Sequence, residues 1–208
     1  MTRGRFITLE GGEGAGKSTQ LRALAQALRS RGLDVVETRE PGGSEGAEAI
    51  RALLLTGGAD RWSPRAEALL FAAARADHVE KTIRPALQRG AWVLSDRFLD
   101  SSRAYQGQGA LSDADIVALH RLGSEGFLPD RTLLLTLPDN EAAQRARRRD
   151  GDQSDRIGGR DSDFHRAVAS AFARFAADEP DRVRAVDASG AAEDVTDRLV
   201  ATLSDLLP

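Results

Sequence analysis

The chain has 208 residues, with 29 basic and 32 acidic side chains, a net charge of -3 and no cysteine. That length suits one domain with a real core, and the charge balance argues against a global nucleic-acid footprint. The lack of cysteine excludes disulfides, a thiol nucleophile and thiolate metal sites. No signal peptide is read ahead of the first strand and the apolar runs fall far short of a bilayer span. A cytoplasmic protein with neither membrane nor nucleic-acid partner is expected.

In chain order, the apolar run Arg5 to Glu10 predicts a strand. It leads into Gly11-Gly12-Glu13-Gly14-Ala15-Gly16-Lys17-Ser18, which fits G-x-x-x-x-G-K-[ST] in full. A helical pattern over Thr19–Arg31 follows. Strand, glycine loop and helix in this order predict a phosphate-binding loop. Its backbone N–H groups close around phosphate oxygens, and the helix N-terminus adds partial positive charge. Residues 11–19, Thr19 included, are therefore read as the ATP site, with Lys17 reaching the β- and γ-phosphates and the Ser18 hydroxyl suited to Mg²⁺.

Further strands are predicted at Asp34 to Thr38, Ala91 to Ser95, Arg131 to Leu137 and Arg182 to Asp187. Helical patterns lie between and after them: Ser44–Leu55, Pro64–Arg89, Asp113–Ser124, Asn140–Arg149, Asp163–Ala177 and Ala192–Leu206. The alternation predicts an α/β fold: a five-stranded parallel sheet with helices on both faces, one domain over residues 1–208. Ligands of such folds sit at the carboxyl ends of the strands. Asp96, ending Trp92-Val93-Leu94-Ser95-Asp96, is in place for a Mg²⁺-associated carboxylate. The tract from Arg145 to Asp161, RARRRDGDQSDRIGGRD, is nearly free of apolar residues. A solvated loop is the ordinary outcome for such a run. Beside a triphosphate site it predicts an arginine-rich lid over about residues 145–161 that closes on the phosphates.

Several segments together carry a resemblance over nearly the whole chain. They are Leu9-Glu10-Gly11 with the phosphate loop, Thr38-Arg39-Glu40-Pro41-Gly42-Gly43, Leu70-Phe71-Ala72-Ala73-Ala74-Arg75, Asp96-Arg97-Phe98 with Ser101-Ser102 and Ala104-Tyr105-Gln106-Gly107, and Asp155-Arg156-Ile157. The sequence resembles the bacterial thymidylate kinases, members of the nucleoside-monophosphate kinase group of P-loop proteins. The resemblance implies transfer of the γ-phosphoryl group of ATP to dTMP, with Mg²⁺, in a homodimer. It implies that Arg39 grips the acceptor phosphate and that Arg97 lies between acceptor and donor phosphates. Phe71 would stack on thymine and Arg75 would bond a thymine carbonyl. Ser102 and Gln106 would reach the base edge, Tyr105 would sit under the deoxyribose, and Glu13 would lie near the acceptor sugar and metal. Pro41 falls within the acceptor site, and related kinases hold the bond before it cis. No basic residue stands among Gly12, Glu13, Gly14 and Ala15, so the resemblance places this chain on the lid-arginine side of the family. Arg148 or Arg149 would then be the catalytic lid arginine, with Arg156 supporting and Arg145 near ATP. The chain departs from the family at Gly158-Gly159-Arg160, where an acidic residue usually follows, and at Phe98, where Tyr or His is commoner. The long Pro64–Arg89 pattern has apolar residues on more than one face, one of them suited to a symmetry mate.

Other readings are a kinase for a different nucleoside monophosphate and a regulatory P-loop ATPase. A GTPase switch fails because the only asparagine, Asn140, stands outside any Asn-Lys-x-Asp motif.

Overall fold

A computed structural model describes residues 4–58, 60–138, 141, 145 and 156–208, with residue 162 in its backbone only. The sheet has five parallel strands in the order β2-β3-β1-β4-β5. These are β1 (Phe6–Glu10), β2 (Val35–Arg39), β3 (Trp92–Asp96), β4 (Arg131–Thr136) and β5 (Val183–Asp187). The expected α/β architecture is present. β1 is buried along its length, and β3 and β4 all but their last residue; their sequences read as apolar or small runs, with Glu10 and Arg131 as buried charges at their ends. β2 and β5, the edges, expose part of their length.

Helices α1 (Lys17–Arg29), α2 (Glu45–Leu55), α3 (Pro64–His78), α4 (Arg84–Gln88), α5 (Leu99–Gln106), α6 (Asp113–Ser124), α7 (Ser162–Asp178) and α8 (Ala192–Thr202) connect or follow the strands. Leu21, Leu24 and Leu28 of α1 pack with Val195 and Leu199 of α8 over one face of the sheet. Phe6, Val93, Ile83, Phe98 and Ile116 form the core on the other, where the Phe6 and Phe98 rings meet edge-on at 4.8 Å. Each such fully buried side chain contributes about 1.5–3 kcal/mol. A third cluster joins Tyr105, Leu134, Phe172 and Phe175. Among the described residues no helix is long and apolar enough to cross a membrane.

Two elements differ from the sequence expectation. The Pro64–Arg89 pattern is helical throughout but changes its winding. Between α3 and α4, Val79–Ile83 forms a π-helical turn in which the Arg84 N–H bonds the Val79 carbonyl, five residues back. Pro85, next in line, has no N–H to continue the ordinary ladder. The helix α5 was not expected at all. Its eight residues are nearly all buried, polar ones included, so no amphipathic stripe marks it. Of the expected Asn140–Arg149 helix, only residues 141 and 145 lie among the described residues.

What holds α5 is a set of buried charges. The Glu10 carboxylate, at the end of β1, accepts the Phe98 N–H at 2.8 Å, the Ser101 N–H at 3.2 Å and the Ser101 hydroxyl at 2.5 Å. Asp100 accepts two bonds from Arg182, at 2.6 and 2.9 Å, and one from Arg103 at 3.0 Å. Burial, aided by the nearby Asp100 charge, raises the Glu10 carboxyl to about 7 against the bonds from Ser101 and Phe98 and the charge of Arg97.

Between the usual value of 4.5 and about 7, the folded chain keeps a Glu10 proton that the unfolded chain has lost. Stability from this group therefore falls as pH rises through that window, by about 3 kcal/mol in total. Glu10→Gln should lack that decline. Urea unfolding of both proteins at pH 5 and pH 8 checks it, and parallel pH slopes would refute the assignment.

Candidate functional site

The carboxyl ends of β1, β2 and β3 open into a cleft of about 880 Å³. The glycine loop forms its floor. Gly11 stands at φ 139°, and a Cβ there would lie 2.5 Å from the Leu135 carbonyl oxygen, so the loop leaves β1 beside β4 only as glycine. Gly16, at φ 86°, turns the chain into α1 without a side-chain cap, and Lys17, Ser18 and Thr19 of the first turn line the cleft. The Lys17 ammonium donates to the carbonyls of Gly11 at 3.1 Å and Gly12 at 2.8 Å. Burial, and then the Arg97 charge, lower the lysine to about 8 against the pull of Asp96, Glu13 and Glu10. Ser18 donates its hydroxyl to Asp96 Oδ2 at 2.6 Å, which brings together the two expected metal-associated oxygens.

Arg97 follows directly after β3, at φ 73°, a left-handed conformation that costs a non-glycine residue ~1 kcal/mol. Backbone bonds on both sides hold it there, from its own N–H to the Leu9 carbonyl and from Phe98 N–H to Glu10. Its guanidinium donates to Glu13 Oε1 at 2.8 Å, Ser101 Oγ at 2.9 Å and the Gly11 carbonyl at 3.3 Å. It also lies 5.0 Å from the Tyr105 ring centroid. Burial opposes the Arg97 charge, but Tyr105, Glu13, Asp96 and Glu10 outweigh it and hold the guanidinium above its usual pKa.

On the β2 side, Arg39 lines the cleft and pairs with Glu48 through two 3.1 Å bonds, both side chains substantially exposed. The Glu40–Pro41 peptide is cis, as expected. Glu48 also accepts the Gly43 N–H at 3.0 Å, and that bond leads in holding its carboxyl below the usual value. Phe71 and Arg75 of α3 and Ser102, Tyr105 and Gln106 of α5 line the same cleft. Arg75 is buried, giving Nε to Glu40 at 2.8 Å and Nη2 to Ser102 Oγ at 2.8 Å.

The lid residues divide. Arg145 lines the cleft and donates to the Ala188 carbonyl at 3.2 Å. Arg147, Arg148, Arg149 and Asp155 lie outside the described residues. Arg156 is described and buried. Its Nε donates to the Leu54 carbonyl at 2.9 Å, and its Nη2 lies 2.6 Å from Glu67 Oε2. Glu67 also receives Arg160 at 3.0 Å and Gln106 at 3.0 Å. The structure thus groups Arg156 with α2 and α3, while its neighbours Ile157 and Gly158 line the cleft.

Five residues near the site carried no role in the sequence reading: Glu40, Glu48, His78, Arg51 and Glu67. Arg51 lines the cleft and donates to the Pro41 carbonyl at 2.7 Å. Glu40 stands inside the Arg-Glu-Pro-Gly-Gly segment, so the motif marked its position but not its buried partners. Its burial raises the carboxyl, but Arg75 and His78 outweigh this and hold it below the usual value.

With this geometry in hand, similarity to known proteins is informative. A family model for thymidylate kinase matches residues 9–199. A thymidylate kinase of Rhizorhabdus wittichii is 64% identical over 206 residues, 99% of each chain. One from Caulobacter vibrioides is 50% identical over 210 residues, 100% of this chain and 97% of that protein. The crystal structure of thymidylate kinase from Ehrlichia chaffeensis aligns with a TM-score of 0.75 at 30% identity, over 97% of this chain and 98% of that one. The chain belongs to the thymidylate kinase family.

Proposed function

We propose that this cleft transfers the γ-phosphoryl group of ATP to dTMP, giving dTDP and ADP. One observation carries the reading: Arg97 is locked between the glycine loop and the Phe71–Arg75–Ser102–Tyr105 wall, where the donor and acceptor phosphates would meet. Phosphoryl transfer of this kind needs two anions in line and the developing charge neutralised. The acceptor is already an ionised phosphate, so no general base is required.

The proposed roles of the described residues follow their placement, and those of Arg148 and Arg149 follow the family resemblance. The N–H groups of residues 11–19 and the Lys17 ammonium take the ATP phosphates. Arg39 holds the dTMP phosphate, and Arg97 spans the two anions. Phe71 stacks on thymine, Arg75, Ser102 and Gln106 read its edge, and Tyr105 lies under the deoxyribose with Glu13 and Pro41 nearby. Ser18 and Asp96 together offer a hydroxyl and a carboxylate, hard oxygen donors that would suit Mg²⁺. When bound, Mg²⁺ would neutralise phosphate charge. A lid arginine, Arg148 or Arg149, supplies charge at the transferring group, with Arg145 near ATP and Arg156 anchoring the far end of the tract to Glu67. The enzyme is proposed to work in the cytoplasm as a homodimer through the second face of the α3 region, where Leu69 is 55% exposed.

ADP release with ATP and Mg²⁺ should be fast with dTMP and slow with AMP, GMP and CMP; equal rates would refute the acceptor reading, and release without any acceptor would favour a regulatory ATPase. Lys17→Ala should lower kcat by ~10²-fold or more, and Ala at whichever of Arg148 and Arg149 is catalytic by ~10³-fold, with smaller effects on the KM for ATP. Single-turnover kinetics separate these effects, and unchanged turnover numbers would remove the residues from the chemistry. Light scattering should give twice the chain mass at micromolar concentration, and Leu69→Glu should shift it toward the monomer. A monomeric native enzyme would decide against the dimer.

A further inference from the structure

We propose that His78 and Glu40 are positioning residues for the acceptor site, jointly fixing the angle at which Arg75 meets the acceptor base. This rests on the reading of Arg75 given above and adds two residues that do not themselves read the base.

The His78 ring is fully buried, with Nε2 2.7 Å from Thr38 Oγ1 and Nδ1 3.0 Å from Glu40 Oε1. The other Glu40 oxygen accepts Arg75 Nε at 2.8 Å. Arg75 then uses Nη2 on the Phe98 carbonyl at 3.2 Å and on Ser102 Oγ at 2.8 Å. One continuous chain of bonds thus runs from β2 through α3 to α5, and its far end is the acceptor wall.

The chemistry fixes the direction of the chain. Glu40 is ionised beside Arg75, and a carboxylate only accepts, so Nδ1 of His78 carries a proton aimed at it. A carboxylate with one oxygen on histidine and the other on arginine cannot rotate, and this removes the rotamer freedom that a long arginine otherwise keeps. The backbone is shaped for the ring. Gly43 stands at φ 88°, and a Cβ there would lie 2.4 Å from both His78 Nε2 and Thr38 Oγ1. The second glycine of Arg-Glu-Pro-Gly-Gly is therefore the space that the histidine needs.

Asparagine and glutamine separate the two ring contacts. The Asn amide nitrogen overlays Nδ1 and keeps the bond to Glu40; the Gln amide overlays Nε2 and keeps only Thr38. Glu40→Gln turns an amide N–H₂ toward one of two donors. Glu40→Gln and His78→Gln should raise the KM for dTMP about tenfold or more, leaving the KM for ATP unchanged. His78→Asn should stay within about threefold of the native KM. Arg75→Ala separates the role of Arg75 from that of its two supporting residues. If it leaves the dTMP KM unchanged, the acceptor reading of Arg75 falls and this proposal with it. If it raises KM while Glu40→Gln and His78→Gln do not, only the positioning role falls. Equal KM increases in His78→Asn and His78→Gln that track their losses in melting temperature would show that the ring merely packs, and would overturn the proposal.

Discussion

A site that holds two nucleotide phosphates must gather positive side chains in a low-dielectric cleft without letting them repel one another or wander. In this fold three of the cleft-lining arginines described above have a close acidic partner, whereas Arg51 and Arg145 donate to the Pro41 and Ala188 carbonyls. Arg97 has Glu13, Arg75 has Glu40, and Arg39 has Glu48. The strength of each pair follows its burial. The Arg75–Glu40 pair is almost fully buried, and removing one partner of such a pair costs about 3–5 kcal/mol. The Arg39–Glu48 pair is substantially exposed, where an ion pair contributes about 0–1 kcal/mol. Arg75 is thus held in place, whereas Arg39 can exchange Glu48 for a phosphate at little cost. That difference matches a rigid reader of a base and a cation that must meet an arriving anion.

The sheet order explains why these pairs can form. β1 lies between β3 and β4, and β3 between β2 and β1. The residues that leave the ends of β1, β2 and β3 therefore emerge side by side. Glu10 is paired with Leu134, Leu9 with Asp96, and Arg39 with Asp96 in the ladder. Glu40 donates its own N–H to the Asp96 carbonyl, and the Arg97 N–H bonds the Leu9 carbonyl. The register thus aligns the glycine loop, the Arg-Glu-Pro-Gly-Gly turn and the Asp-Arg-Phe turn before any side chain is considered.

The parts of this arrangement that were legible in the sequence are those encoded locally. The glycine loop declares itself by spacing, and the buried strands by apolar runs between helical patterns. The strands, and the expected helices that lie among the described residues, fall within a few residues of expectation for that reason. Helix α5 was not legible, because Leu99–Gln106 is buried on nearly every side and polar residues serve as its interior. Phe71, Arg75 and Tyr105 were assigned through resemblance; taken singly, each has an ordinary structural explanation. The counter-ions were the least visible. Glu40 and Arg75 are 35 positions apart, Glu40 and His78 38, and Glu67 and Arg160 93. No periodicity relates such residues; only the folded sheet brings them together. The burial of Arg156 against Glu67 belongs to the same class, since a lid-tract arginine reads from sequence as a charge for solvent or phosphate.

The acidic partners also account for an oddity of composition. A protein that handles nucleotide anions carries 32 acidic and only 29 basic side chains, a net charge of -3. If the arginines acted as a diffuse positive field, that balance would oppose binding. Arg97, Arg75 and Arg39 are instead individually oriented donors, each with a carboxylate partner. Glu10 shows how far the principle extends. It holds the backbone at Phe98 and the Ser101 hydroxyl, and Ser101 in turn accepts Arg97. The carboxylate at the end of β1 therefore fixes the arginine at the end of β3 without touching it. The acids that aim Arg97, Arg75 and Arg39 also offset their charge, so a cleft lined with cations is compatible with a negative net charge.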